Sequence, residues 1–188
     1  MGGSPKGLFE VGGRRILDRL VDEAIAAFGD PPLLVANAPG AASWRADLAP
    51  IPDLIAGAGT LGGLYTAVVA GPAPVVCVAW DMPFISAPLL RRLAEGLETV
   101  DVFLPASDSR RGVEPLCGAY GPACAAPMRA AIARGDLRAI GFHDAVRVGV
   151  LSLDQVARFG RPEMLFFNVN TAEDLAAAER LREPLPSG

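Results

Sequence analysis

Lysine is almost absent from this 188-residue chain: Lys6 stands alone against sixteen arginines. Histidine is as scarce, with only His143. One histidine excludes a clustered-histidine metal site, and any Ser-His-Asp triad would have to use that residue. The three cysteines, Cys77, Cys117 and Cys124, have no Cys-x-x-Cys spacing. They read as small buried hydrophobes, not as a disulfide frame or a metal knuckle. No Lys/Arg run exceeds two residues and the net charge is −4, so nothing advertises a nucleic-acid groove or an anionic membrane as partner. No apolar run approaches the roughly 18 residues that span a bilayer. The opening residues 1–6 lack the basic-then-apolar pattern of a signal peptide, and the expected setting is cytoplasmic.

What remains is the composition of a folded domain. Hydrophobic residues make up 51% and charged residues 20%, which excludes a disordered chain. The length fits one domain, expected over residues 1–182, with residues 183–188 a frayed tail. Because arginine serves wherever a plain positive charge will do, the lone Lys6 hints at a place that wants a compact ammonium.

Periodicity organises the rest. Residues 14–28 carry Ile16, Leu17, Leu20, Val21, Ala24 and Phe28 on one helical face, and Gly29 to Pro32 end the helix. Residues 33–36 form a short apolar strand with Asn37 at its carboxyl end. Residues 38–58 read as loop with a short edge element, and residues 60–70 as a small-residue helix packed on a sheet. Residues 75–79 make the clearest buried strand and deliver Trp80 and Asp81 beyond its end. Ser86 is placed to cap a helix running to about Leu97, with Pro88 in its first turn. A strand over 102–104, a polar loop over 105–118, a helix over 122–134 and extended segments over 138–150 follow. A final strand is expected over 165–169, then a helix over 171–181. Short apolar strands alternating with helices predict an α/β fold with a mostly parallel sheet. In such sheets ligands bind beyond the carboxyl ends of the strands.

Several polar residues land there. Asp81 is a carboxylate at a strand end, a place that suits Mg²⁺ held by one or two carboxylates plus substrate phosphates; the alternative is a residue that merely closes the strand. Lys6 follows a Gly-Gly-Ser-Pro turn that enters a helix, where backbone N–H groups and an ammonium suit a phosphate. The spacing is not that of a Walker loop. Asn168 and Asn170 fall on one side of the expected last strand, where two amides could read a heteroaromatic edge. Thr171 and Asp174 fit a helix cap. Asn37 and Asp53 fit a base and ribose site or simple turns. His143 reads as structural.

In this order, the segments resemble the molybdenum cofactor guanylyltransferases, within the nucleotide-sugar-type nucleotidyltransferases. Residues 1–8, MGGSPKGL, match the second half of that family's opening motif, Leu-Ala-Gly-Gly-x-Ser-x-Arg-Met-Gly-Gly-x-x-Lys-Gly-Leu. The match makes Lys6 the implied phosphate-binding lysine. Residues 35–37 are similar to the family's Ser-Ala-Asn, which implies that Asn37 contacts guanine. Residues 53–63 are similar to its Asp and Gly-Pro-Leu-Ala/Gly-Gly segment, with Thr60 in place of the usual proline. Residues 79–84, AWDMPF, match Cys-Asp-x-Pro-Phe, which makes Asp81 the implied Mg²⁺ ligand. Residues 114–120 and 166–175 resemble the pterin-side segments, which implies Asn168 and Asn170 as pterin contacts.

The resemblance implies a three-layer Rossmann-like nucleotidyltransferase that transfers GMP from GTP to molybdopterin and releases pyrophosphate. It implies no protein nucleophile. Possible further partners are a carrier of the cofactor or an acceptor enzyme. The first half of the opening motif, with the first strand and phosphate loop, is missing from this sequence, and a start codon upstream is the expectation. Two other readings stay open: a cytidylyltransferase or other transferase of the same fold, and a non-catalytic relic that binds pterin or nucleotide.

Overall fold

Gly12 and Gly13 both adopt left-handed backbone, with φ of +61° and +68°. Two such residues in succession make the tight turn that matches strand twist, and they fold β1 (Glu10–Val11) antiparallel onto β2 (Arg14–Arg15). The hairpin corrects the expected helix start: Arg14 and Arg15 are extended, and α1 (Ile16–Phe28) begins after them. Its apolar stripe buries Ile16, Leu17 and Val21, and Gly29, with φ +86°, closes it. The structure is a computed structural model describing residues 6–72 and 74–182. The glycine turn expected before Lys6 and the tail expected over 183–188 lie outside the described residues.

The chain continues through β3 (Leu34–Val35), β4 (Pro50–Ile51), α2 (Gly59–Ala70), β5 (Val75–Val78), α3 (Ala87–Glu95), β6 (Val102–Pro105) and β7 (Cys117–Tyr120). It ends with α4 (Ala125–Ala133), β8 (Val148–Leu151), the single-turn helices α5 (Leu153–Val156) and α6 (Pro162–Leu165), and α7 (Ala172–Arg182). β3 and β4 pair in parallel as a small sheet, so β4 is the edge element expected within 38–58. The larger sheet has the order β5-β7-β6-β8. β8 runs parallel to β6, while β7 runs antiparallel between β5 and β6, so three of the four strands point one way.

Strand alternation sorts the core into two slabs. Val102, Leu104 and Tyr120 face α2 and α4 with Leu61, Leu64 and Met128. Phe103, Cys117 and Ala119 face the other side, where α3 contributes Leu89, Leu90 and Leu93. α1 packs on α3 and α2 on α4, which gives helices, sheet and helices in three layers. The cysteines are free, with Cys117 and Cys124 buried and Cys77 half-buried. Burial pushes the Cys77 thiol up to about 12 and Cys124 to about 11, so both stay protonated hydrophobes.

Three further expectations are corrected. β7 occupies the end of the expected polar loop and lies wholly buried. β5, expected to be the most buried strand, is only half-buried, because it has a ladder on one edge alone among the described residues. Residues 165–169 form no strand: Pro162 starts α6, Leu165 ends it, and Phe166 and Val169 are buried by side-chain packing instead of by pairing.

Candidate functional site

The site assembles where β3 and β5 end. Ala36, beyond β3, and Trp80, beyond β5, join one apolar cluster with Leu17, Leu34, Trp44 and Leu48. The Trp44 and Trp80 rings lie 4.7 Å apart, tilted by 39°. Trp80 also packs on Gly7, where an added Cβ would come within 3.2 Å of its ring. That contact fixes the backbone next to Lys6 against the residue next to Asp81, a link the sequence alone did not show.

Lys6 and Asp81 meet accordingly. Lys6 Nζ lies 3.8 Å from Asp81 Oδ2 and donates to Asn170 Oδ1 at 2.5 Å. Asn170 is held there because the Val169 N–H donates to the Asp81 carbonyl at 2.8 Å. The turn after it is locked by the expected cap. Asp174 Oδ2 accepts from the Asn170 and Thr171 N–H groups at 2.9 Å each, and Thr171 Oγ1 accepts from the Asp174 N–H at 3.1 Å. Burial raises the Asp81 pKa above the usual carboxylate range, and the Lys6 ammonium only partly opposes it.

Among the described residues, Asp81 Oδ1 is buried with no hydrogen-bond partner. An orphaned, largely desolvated carboxylate oxygen beside a lysine is what a hard cation with phosphate ligands would satisfy. The residues therefore fit Mg²⁺ held by one protein carboxylate. Among the described residues no cluster of three or more His, Cys, Asp or Glu side chains forms a self-sufficient metal cage.

A second polar pair sits beyond β3. Asn37 Nδ2 donates to Asp53 Oδ2 and Asn37 Oδ1 accepts from the Asp53 N–H, both at 2.8 Å. Asn37 is exposed, so the pair presents itself to solvent. Asp53 approaches the start of α2 closely: a Cβ on Gly62 would lie 3.5 Å from Oδ2, and one on Gly63 would lie 3.8 Å from Oδ1. Thr66 secures the loop, accepting the Leu54 N–H at 2.9 Å and donating to the Gly62 carbonyl at 2.8 Å.

Asn168 and Asn170 do not act as a pair. Without a strand over 165–169 their alternation is lost: Asn170 turns to Lys6, while Asn168 Nδ2 donates to the Phe166 carbonyl at 2.9 Å and lines a separate cavity. Glu114 lines that cavity too. Burial raises its pKa, the Leu116 N–H and Arg111 oppose the rise, and Asp81 adds to it, so Glu114 lies within electrostatic reach of Asp81. The sequence shows Glu114 only as part of a segment. Its approach to Asp81 depends on β7 inserting antiparallel beside β5.

An ammonium and a desolvated carboxylate meet beyond the carboxyl end of β5, and an amide–carboxylate pair lies beyond that of β3, the place where α/β sheets bind ligands. The model of the MobA-like NTP transferase domain matches residues 1–148, and the chain belongs to that family of nucleotidyltransferases. A probable molybdenum cofactor guanylyltransferase from Pelotomaculum thermopropionicum is 31% identical over 187 residues, covering 99% of this chain and 89% of that one. A molybdenum cofactor guanylyltransferase from Cereibacter sphaeroides is 34% identical over 193 residues, covering 96% and 90%. Molybdopterin-guanine dinucleotide biosynthesis protein A from Archaeoglobus fulgidus superposes with a TM-score of 0.79 at 24% identity, covering 94% of this chain and 89% of that one. The 2-C-methyl-D-erythritol 4-phosphate cytidylyltransferase from Thermus thermophilus gives 0.65 at 22% identity, covering 95% and 94%. At these identities the two structures establish the fold alone.

Proposed function

We propose that this nucleotidyltransferase joins GMP from GTP to the terminal phosphate of molybdopterin and releases pyrophosphate. The observation that carries the reading is the meeting of Lys6, Asp81 and Asn170, drawn from three distant parts of the chain. The names of the relatives support the choice of substrates. In this reading an oxygen of the pterin's phosphate attacks the α-phosphorus of GTP, and the bond to the β-phosphate oxygen breaks. Lys6 offsets charge on the triphosphate, and Asn170 keeps its ammonium in place. The Asn37–Asp53 pair takes up the nucleoside, and Asn168 and Asn170 flank the acceptor. Mg²⁺ held on Asp81 would neutralise phosphate charge and align the α-phosphate. The rest is positioning, which needs no protein nucleophile.

The test is pyrophosphate release by the full chain with molybdopterin, Mg²⁺, and GTP or CTP. Turnover with GTP and not CTP is the expected result. Equal use of CTP, or turnover with neither, would sink the guanylyl assignment. Lys6→Ala should slow the reaction on the order of 10²- to 10³-fold, as loss of a preorganised charge-stabilising donor does.

A further inference from the structure

The cavity beside Asn168 holds about 230 Å³. It is smaller than the roughly 300–1,000 Å³ of pockets that take a drug-sized ligand, and so suits one ring head. Phe166 and Pro162 supply apolar wall, while Glu114, Glu163 and Asp108 supply carboxylates. Among the described residues no lysine or arginine lines it. Such a place repels a phosphate and favours a flat ring edge rich in N–H donors.

Glu114 is the carboxylate equipped to read that edge. Glu163 and Asp108 are exposed, whereas Glu114 is half-buried. Among the described residues its carboxylate accepts one hydrogen bond, a long one of 3.4 Å from the Leu116 N–H to Oε1. Oε2 and most of the acceptor capacity of Oε1 are therefore open. The turn that carries it is rigid, because the buried Tyr120 hydroxyl donates to the Pro115 carbonyl at 2.5 Å and the Glu114 N–H donates to the Pro105 carbonyl at 3.0 Å. A 2-aminopyrimidin-4-one edge presents an exocyclic amino group beside a ring N–H. Those two parallel donors match the two oxygens of one carboxylate, as a guanidinium fork does.

We infer that Glu114 is the specificity-determining residue for the pterin, receiving the 2-amino and ring N–H donors of its head in the Phe166-walled cavity. The inference rests on the proposed function for its choice of ring. Guanine carries the same edge, but the Asn37–Asp53 pair presents a separate polar site for the nucleoside. The turn that carries Glu114 lies beside the Asp81 turn, because the Ala79 N–H donates to the Leu116 carbonyl at 2.7 Å, so a phosphate borne on the ring's 6-substituent has Asp81 within its neighbourhood. Asn168 lies on the same cavity wall, and among the described residues its Oδ1 accepts no hydrogen bond, which leaves it for a further ring donor.

The test compares 6-hydroxymethylpterin with 6-hydroxymethyllumazine, in which a carbonyl replaces the 2-amino group, by fluorescence titration of the full chain. The unaltered chain should prefer the pterin about tenfold or more, as expected for a hydrogen-bond pair to a charged group. Glu114→Gln should lose that preference, and Glu114→Asp should keep part of it, which a merely structural role would not produce. GTP and ITP, titrated in parallel, should keep their ratio in Glu114→Gln. Equal binding of pterin and lumazine by the unaltered chain overturns the inference. So does an unchanged pterin preference in Glu114→Gln. If the variant loses discrimination of GTP from ITP instead, the cavity reads guanine and the pterin assignment falls. Failure of GTP transfer, with pterin preference intact and Glu114-dependent, overturns the proposed function and leaves Glu114 as a pterin reader.

Discussion

Asp81 is held in a state the fold disfavours. Burial raises its pKa, so the folded chain binds that proton more tightly than the unfolded chain does. Ionised Asp81 therefore lowers stability, and the penalty is relieved as pH falls through the raised value. The role proposed for Asp81 runs the other way, because only the carboxylate can pair with Lys6 or hold a cation. Asp81→Asn should melt no lower than the unaltered chain by circular dichroism, yet lose pyrophosphate release on the order of 10²- to 10³-fold. A variant that unfolds, or one that keeps its rate, contradicts the role. His143 has the opposite sign. Burial lowers its pKa, and among the described residues Nε2 is buried without a partner. The neutral ring is the folded form, so its contribution is complete above the ordinary histidine value of about 6.5 and declines as pH falls below it. Melting temperature should drop between pH 7 and 5.5, and His143→Gln should flatten that slope. At this scale the sequence was informative where a residue type is rare. The only lysine and two of the three asparagines, Asn37 and Asn170, lie in the candidate site. Glu114, one of many acidic residues, carries no such mark.

Helix ends show how local rules yield to packing. Ser86 stands at the N-cap position of α3 with extended backbone, but its hydroxyl makes no cap bond and is buried without a partner. The first N–H of the helix, on Ala87, instead donates to Glu23 Oε2 at 2.6 Å, across from α1. Glu23→Ala should cost about 1 kcal/mol, the usual worth of a cap, while Ser86→Ala should be neutral or mildly stabilising. Urea unfolding of both variants checks the contrast, and the reverse order would return the cap to Ser86. α1 and α3 were legible because an apolar stripe at 3.6-residue spacing survives in both, whereas the single-turn helices α5 and α6 were not expected. The strands at 10–15 and 117–120 were not. β1 and β2 are two residues each and defined by their glycine turn, and β7 reads Cys-Gly-Ala-Tyr, too small and mixed to show an apolar run. Residues 165–169 misled for the complementary reason, since an apolar run records burial and not pairing.

Across the whole molecule the site is a product of long-range closure. Lys6 and Asn170 are 164 residues apart, and Asn37 and Asp53 are 16 apart. Asn37 and Asp81 lie beyond the carboxyl ends of β3 and β5, which an alternation of strands and helices does foretell, whereas Lys6 and Asn170 reach Asp81 through the Gly7–Trp80 contact and the Val169–Asp81 hydrogen bond. The antiparallel insertion of β7 was not foretold, and it is what carries the Glu114–Pro115 turn to Asp81. Tyr120 joins that turn to the core: its ring is fully buried among α2 and α4, and its hydroxyl reaches Pro115. Tyr120→Phe keeps the ring and removes only the donor, leaving a buried carbonyl unpaired at about 1–3 kcal/mol. Urea unfolding should register that loss. Hydrogen exchange should then quicken at the Leu116 amide, which donates to Glu114, and stay slow at the Phe103 amide within the sheet. A uniform quickening would mean that the hydroxyl supports the sheet as a whole. Confinement to 114–117 would show that one buried hydrogen bond sets the rigidity of the site's third carboxylate.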